Sequence, residues 1–288
     1  MKGKKPNILI VDDSKVICKT LEKLIQEELS YEPIIAHSKV ECEKILLEYK
    51  NSIDVALLDL ELPDAKTGQV VDLVSKFNIP SIVLTSSIEK EDLFRSKKIV
   101  DYVIKESSFS FRYAVSLVQR IINNNDKEVL IVSNKLQEQK NTVELLKRYQ
   151  LKPLLYADMI EALHEIKKNR KIKMVYIEPS NLDNYGIELL KQIRKIYTKN
   201  ELVITMIADS NIIEEQRKLL TKFLKYGAND FIYESYSEEE FYARLTSNLD
   251  SIDQFEEMHK KANVDFLTGV YNRRYFFKEG VRRFNDEE

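Results

Sequence analysis

The sequence is poor in residues that make long flexible linkers, with 6 Gly and 6 Pro among 288 residues. This scarcity favours short connections between helices and strands. It contains no apolar run near the ~18 residues that a membrane helix needs, and the apolar stretch Ile8 to Val11 is too short for a secretory signal. The net charge of −2 argues against nucleic acid or an anionic membrane as the main partner. We therefore expect a cytoplasmic protein.

Cysteine is also scarce. The two that are present, Cys18 and Cys42, lie among Lys and Glu in predicted helices. We expect two reduced thiols, because a cytosolic chain with two separated cysteines offers neither a disulfide framework nor a metal motif.

Three phrases of the sequence recur in the same order. The first set is Asn7–Lys15, Ile53–Asp64 and Val100–Ser107, and the second is Glu128–Leu136, Ile172–Asp183 and Asn229–Tyr236. Continuous apolar strands that alternate with amphipathic helices predict a parallel sheet covered on both faces. We therefore predict an α/β fold of two tandem doubly wound, five-stranded parallel-sheet domains. Their predicted bounds are 1–125 and 126–249, followed at 250–288 by a connector helix and the truncated start of a further domain.

Segments between the predicted strands have apolar residues at helical spacing. The predicted buried stripe of the first helix is Val16, Ile17, Leu21, Leu24 and Ile25, and a corresponding stripe in the second repeat is Leu145, Leu146 and Tyr149.

Polar residues follow the predicted strands of the first repeat: Asp12, Asp13, Asp59, Thr85 and Lys105. In a doubly wound sheet these strand ends line one crevice. Three carboxylates in one crevice repel each other unless a hard divalent cation neutralises them, and Mg²⁺ is the expected ion. Such a site can draw in a phosphoryl group, which an ionised aspartate attacks while a lysine and a hydroxyl stabilise the oxygens.

The stretches "VDD", "LLDLELPD", "VLTSS" and "DYVIK" resemble the receiver domain of two-component response regulators, over residues 6–122. The resemblance implies the flavodoxin-like receiver fold and a phosphoacceptor, Asp59, that is served by a sensor histidine kinase. It implies that Asp13 and Asp59 bind Mg²⁺ through their side chains, Asp12 through water and Glu61 through its backbone carbonyl.

The same resemblance implies that Thr85 and Tyr102 form a switch pair and that Lys105 contacts the phosphoryl group. Two features depart from the family pattern: Glu106 stands where the family usually has proline, and the loop from Asp59 to Gly68 is a residue longer than expected.

Each residue also has a structural interpretation. A lone aspartate at a strand end often caps a helix or lies in a turn, and Tyr102 by itself would be assigned to core packing. Five groups at matching strand ends together favour the chemical site.

The second repeat keeps the three recurring sequence segments, but it lacks the aspartates and the lysine of the first repeat. The positions of the three aspartates and the lysine are held by Ser133, Asn134, Glu178 and Glu234. Ala208 aligns best with Thr85, and Thr205 lies nearby. Two interpretations stay open: Glu178 mimics a phosphorylated aspartate, or the repeat is an inert spacer or dimerisation module. We favour the inert module, because no lysine takes the place of Lys105 and we expect no group that senses the charge of Glu178.

The connector has apolar residues at Leu245, Leu249, Ile252, Phe255, Met258 and Ala262. Their mean step of roughly 3.5 residues predicts a helix that pairs with its copy in a homodimer. An ordinary helix packed on its own sheet is the alternative as far as Leu249.

After this helix, "VDFLTGVYNRRYF" (Val264–Phe276) resembles the opening segment of diguanylate cyclase (GGDEF) domains, a match that extends over residues 263–288. The loop that names that family is absent from this sequence, so the chain itself lacks a cyclase active site. We expect a longer parent protein that makes cyclic di-GMP from GTP. The arginines that follow are expected to form a solvated face rather than a nucleic-acid site: Arg273, Arg274, Arg282 and Arg283.

These observations predict the regulatory part of a response regulator, phosphorylated on Asp59 with Mg²⁺ and controlling dimerisation and a cyclase. The alternative is a constitutive scaffold in which neither receiver is phosphorylated. A phosphatase is a further alternative, but Glu61 stands where its second acid-base aspartate is needed.

Overall fold

The computed structural model describes residues 5–49, 52–86, 99–178, 184–208, 214–265, 268–273 and 275–277. The chain divides into two compact units. The first is Met1–Lys127 with Asn141–Lys152, and the second is Glu128–Lys140 with Pro153–Glu288.

The first unit contains a five-stranded sheet in the order β2-β1-β3-β4-β5, and all of its pairings are parallel. The strands are β1 Asn7–Val11, β2 Ile34–Ala36, β3 Ile53–Asp59, β4 Ser81–Thr85 and β5 Asp101–Ile104. The described helices between and after them are α1 Lys15–Leu29, α2 Lys39–Tyr49, α3 Gln69–Ser75 and α4 Ser108–Asn124. This order places the carboxyl ends of β1, β3, β4 and β5 along one edge.

The central strands of this sheet are covered on both faces, as their continuous apolar sequences require. Ile8, Leu9, Leu57 and Leu58 are all 0% exposed, although neighbours along a strand point to opposite faces. The inner face of α1 consists of Cys18, Leu21, Leu24 and Ile25.

The prediction that Val16 belongs to the buried stripe of α1 is wrong, because Val16 is 75% exposed. At 100° per residue Val16 shares a face with Lys23 and Glu27, which form an exposed ion pair. Cys18 takes its place in the core. Cys18 and Cys42 are free and buried, and burial raises the pKa of each thiol to about 12.

The second unit is built around another five-stranded sheet, in the order β10-β9-β8-β6-β7. Its strands are β6 Glu128–Val132, β7 Lys152–Tyr156, β8 Ile172–Ile177, β9 Val203–Ala208 and β10 Asp230–Tyr233. Of the remaining described helices, α5 Lys140–Arg148 is assigned to the first unit except for its first residue. The helices of the second unit are α6 Met159–Lys168, α7 Asn184–Arg194, α8 Glu214–Tyr226 and α9 Glu238–Asn263. The predicted fold class, two five-stranded parallel sheets of the flavodoxin-like receiver type, is confirmed.

The helix α9 has 26 residues; it begins before the predicted connector and contains the first part of it. Its part up to Ile252 packs into the second unit through Phe241, Leu245, Leu249 and Ile252, so burial extends past Leu249. Farther along, Met258 is 63% exposed. None of the helices described in the structure is long and apolar enough to cross a membrane.

Candidate functional site

Asp12 and Asp59 lie side by side at the edge of the first sheet. In the pairing of β1 with β3, Val11 is opposite Leu58, and each aspartate follows one of these residues. The amide of Asp12 donates to the carbonyl of Ala36 at 3.1 Å, which extends the β-type pairing by one residue. Parallel strand ends therefore place the two carboxylates together, as the sequence pattern predicts.

Asp13 completes a cluster with Asp12 and Asp59, in which one carboxylate oxygen of each lies within 4.8 Å of the others. Asp12 is 0% exposed and Asp59 is 7% exposed, whereas Asp13 is exposed. The helix-cap role is filled by Ser14, whose hydroxyl accepts from the amide of Ile17. Asp13 therefore does not serve as the N-cap of α1, and its carboxylate faces the cluster.

Lys105 inserts its ammonium between two of these carboxylates. Its Nζ lies 2.7 Å from Oδ2 of Asp12 and 2.8 Å from Oδ2 of Asp59. Burial acts to lower the pKa of Lys105, but the hydrogen bonds to the two aspartates outweigh it and raise that pKa above its ordinary value. Burial raises the pKa of Asp59, and the ion pair with Lys105 opposes this. The pocket thus holds a fixed positive charge against the Asp59 carboxylate.

Thr85 and Tyr102 lie on adjacent strands beside this pocket. Thr85 ends β4 with 1% exposure, and its carbonyl accepts from the amide of Lys105 at 2.8 Å. Tyr102 pairs with Val83 and is half-buried against the core of the first unit. Thr85 therefore borders the charged cluster, and Tyr102 lies two residues before Ile104, the residue opposite Thr85.

Glu61 reaches the pocket through its backbone. Its amide donates to Oδ1 of Asp59 at 3.2 Å, and its side chain is exposed. The first pocket fits a hard divalent cation, because three carboxylates lie within mutual reach and Mg²⁺ prefers oxygen ligands. The exposure of Asp13 leaves room for the waters that Mg²⁺ retains.

The second unit repeats this arrangement with other residues. Val132 is opposite Ile177, so Ser133 and Glu178 lie where Asp12 and Asp59 lie in the first unit. The amide of Glu234 donates to the carbonyl of Ala208 at 2.8 Å, the same bond that joins Lys105 to Thr85. The register therefore puts Ala208 at the position of Thr85. Asn134, at the position of Asp13, is exposed.

Glu178 is 4% exposed, and three side chains among the described residues bond or pair with its carboxylate. Its Oε2 accepts from the hydroxyl of Ser133 and, at 2.9 Å, from Nε2 of Gln139. The ammonium of Lys135 lies 3.7 Å from Oε1 of Glu178 and 3.3 Å from Oε2 of Glu138. The expectation that nothing contacts the charge of Glu178 is therefore wrong.

Sequence reasoning missed Lys135 because it looked for a lysine only at the end of β10. Lys135 comes instead from the loop after β6, where its amide donates to the Ser133 hydroxyl at 2.9 Å. In the first unit the amide of Ser14 donates to Asp12 at the same distance. The signal in the sequence was that Lys135 stands at the position that Ser14 holds in the first repeat.

The segment that resembles the start of a GGDEF domain forms a capped turn after α9. Asp265 Oδ1 accepts from the amide of Thr268 at 2.9 Å and from its hydroxyl at 2.8 Å. The side chain of Asn272 both donates and accepts a hydrogen bond. Its Nδ2 donates to the carbonyl of Ala262 at 2.9 Å, and its Oδ1 accepts from the amide of Tyr275 at 3.0 Å. Asn272 thus joins the end of α9 to the following helical turn.

The predicted arginine face is described at one position. The guanidinium of Arg273 lies over the ring of Phe277, 5.6 Å from its centroid. Arg274, Arg282 and Arg283 lie outside the described residues.

Together, the two doubly wound sheets and the acidic pocket with its lysine define a tandem receiver protein. Two solved structures, each described as a two-component system response regulator/GGDEF domain protein, are similar to this chain. Each is 30% identical, matches 86% of this chain and 100% of its own length, and has a TM-score of 0.74. This chain belongs to the family of two-component response regulator/GGDEF domain proteins.

The receiver domain of a Francisella response regulator is also similar, with 25% identity over 40% of this chain and 96% of its own, at a TM-score of 0.34. No protein-family model matches the sequence, and no curated protein matches it.

Proposed function

We propose that this chain is the phosphorylation-controlled regulatory part of a response regulator, and that Asp59 accepts a phosphoryl group from a sensor histidine kinase. The observation that carries the proposal is the position of Lys105, whose ammonium is bonded to both Asp12 and Asp59 in a pocket of three carboxylates. A lysine at this point can donate hydrogen bonds to the phosphoryl oxygens as they approach Asp59.

In the proposed step a carboxylate oxygen of Asp59 attacks the phosphorus of a phosphohistidine. The new P–O bond forms as the P–N bond breaks, and the bonding electron pair leaves with the imidazole nitrogen, which then takes up a proton. Lys105 holds its positive charge 2.8 Å from the Asp59 carboxylate and donates to the equatorial oxygens. Thr85, at the end of the neighbouring strand, supplies a hydroxyl for the same oxygens.

The residues that would hold Mg²⁺ are Asp13 and Asp59 through their side chains, Asp12 through water, and Glu61 through its backbone carbonyl. When bound, this ion supplies neutralisation of the charge on the phosphoryl oxygens. Removal of Lys105 or of a carboxylate would leave this charge balance incomplete.

We further propose that phosphorylation draws Thr85 and Tyr102 inward and thereby changes how protomers pair. The proposed domains are a receiver at 1–125, a degenerate receiver at 126–249, and a connector with the start of a GGDEF domain at 250–288. The exposed side of α9 beyond Ile252 would carry the change to a diguanylate cyclase. The two free thiols accord with the cytoplasm, where the kinase would act.

The test is incubation of the chain with a small phosphodonor, with and without Mg²⁺, followed by intact-mass measurement. We expect one phosphoryl group per chain, dependent on Mg²⁺ and lost in Asp59→Asn. The matched control, Glu178→Gln, changes the corresponding carboxylate of the second pocket and should label normally. Absence of labelling in the wild-type chain would support the constitutive scaffold, and repeated turnover of a phosphomonoester would support the phosphatase.

A further inference from the structure

The acceptor residue is followed by a loop, Leu60–Gly68, that runs to α3. Two bonds hold the ends of this loop: the amide of Glu61 donates to Asp59 at 3.2 Å, and the amide of Gly68 donates to the carbonyl of Leu60 at 3.1 Å. The loop therefore carries the backbone of Glu61 beside the acceptor carboxylate. Leu60 and Leu62, on either side of Glu61, are buried in the core of the first unit, so a further anchor acts on the part of the loop after Leu62.

That anchor is Asp64. Its two carboxylate oxygens accept from two successive amides at the start of α2, from Lys39 at 2.9 Å and from Val40 at 3.0 Å. Ser38 accepts from the amide of Glu41 at 3.1 Å and so covers a different amide of the same turn. Amides at the start of a helix have no partner within the helix, and they favour a negative charge. Asp64 thus supplies acceptors for the first turn of α2, and α2 in turn holds the loop.

Because both oxygens of Asp64 are engaged, the contact fixes the direction of the loop as well as its distance from α2. We infer that Asp64 is a positioning residue for the Asp59 site, which acts by holding the loop so that the Glu61 carbonyl stays within reach of a cation at the carboxylate cluster. This inference rests on the proposed function.

The first experiment measures Mg²⁺ binding without any phosphodonor, from the rise in melting temperature of the full chain as MgCl₂ is added. In Asp64→Asn one accepting oxygen becomes an NH₂ group, which cannot accept from the helix amide. We expect the dissociation constant for Mg²⁺ to rise by on the order of tenfold, the loss typical when residues that orient ligands are changed. Amide hydrogen exchange should accelerate in residues 60–68.

A matched control is available in the second unit. Asp158 also accepts from amides at the start of a helix, α6, but through one oxygen: its Oδ1 accepts from the amides of Ile160 at 2.8 Å and Glu161 at 2.9 Å. Asp158→Ala removes both of these hydrogen bonds, so it should lower the urea midpoint and leave the dissociation constant for Mg²⁺ unchanged. An equal weakening of Mg²⁺ binding in both variants would overturn the inference, because it would show a general loss of stability.

A second variant removes the same contact from the helix side. Lys39 is the first residue of α2, a position that tolerates proline, and Lys39→Pro deletes the amide that donates to Asp64. It should weaken Mg²⁺ binding in the same direction as Asp64→Asn. If both variants bind Mg²⁺ as the wild-type chain does, and the wild-type chain is phosphorylated, the positioning role of Asp64 is overturned and the proposed function stands. Failure of the wild-type chain to bind Mg²⁺ or to be phosphorylated overturns the proposed function itself.

Discussion

The ammonium of Lys135 lies 3.7 Å from the buried carboxylate of Glu178. In the first unit the cation beside the corresponding carboxylate is Lys105, which comes from the end of β5. Both pockets therefore pair a carboxylate with a lysine, but the two lysines come from different loops. In the second unit the two hydrogen-bond donors and the lysine that contact Glu178 come from the segment that follows β6, and Ala208 stands at the position of Thr85.

This arrangement predicts that the second pocket depends on the hydrogen bonds of Glu178 more than on its ion pair. Glu178→Ala leaves the donors of Ser133 and Gln139 without their acceptor, and we expect a loss of about 2 kcal/mol in the free energy of unfolding. Glu178→Gln keeps an acceptor and should cost less. Lys135→Met, at a side chain that is 46% exposed, should cost under about 1 kcal/mol. Urea unfolding of the three variants checks this order, and a larger loss for Lys135→Met than for Glu178→Ala would contradict it.

The sequence alone was enough to predict the sheets and the residues that their carboxyl ends carry. A strand end is defined by where an apolar run stops, so Asp12, Asp59 and Lys105 could be placed without knowledge of any side-chain contact. Lys135 and Asp64 were missed, because each acts through a loop whose path the periodicity of the sequence does not specify. Val16 was misplaced for a related reason. It was assigned to the buried stripe because it is apolar, but its angle around the helix places it on the exposed face.

Lys105 should stabilise the fold when Mg²⁺ is absent. It is bonded to Asp12, which is 0% exposed, and Lys105→Met would leave that carboxylate without its cation. We expect a loss of roughly 3 kcal/mol in the free energy of unfolding in the presence of a chelator, and a partial recovery with MgCl₂. Urea unfolding with and without Mg²⁺ measures both.

The control for this prediction is Lys23→Met. Lys23 forms an ion pair with Glu27 at 3.7 Å on the exposed face of α1, where its side chain is 74% exposed. Its loss should change stability by under about 1 kcal/mol and should not respond to Mg²⁺. If Lys105→Met were as stable as the wild-type chain in chelator, the charge balance argued for the first pocket would be wrong.

Asp64 should make a pH-dependent contribution to stability. The hydrogen bond from the amide of Lys39, aided by the one from Val40, holds the pKa of Asp64 below its ordinary value of 3.8. Because the pKa is lower in the folded state, the contribution is fully present above the unfolded value and disappears as pH falls through the folded one. The difference in urea midpoint between wild type and Asp64→Asn should be constant near neutral pH and should disappear below about pH 4. A difference that persists at the lowest pH would show that the charge of Asp64 is not what stabilises the contact.

The two halves of α9 should respond differently to truncation of an apolar side chain. Ile252 is 0% exposed, and Ile252→Ala should lower the free energy of unfolding by about 3 kcal/mol through the cavity it leaves. Met258 is 63% exposed, so Met258→Ala should change the stability of the monomer by under about 0.5 kcal/mol. If the exposed half pairs with its copy, however, Met258→Ala should weaken self-association of the phosphorylated chain in sedimentation equilibrium. The same self-association in Met258→Ala and wild type would mean that protomers do not pair through this side of α9, because a side chain that is buried only in the dimer cannot be removed without loss of apolar contact.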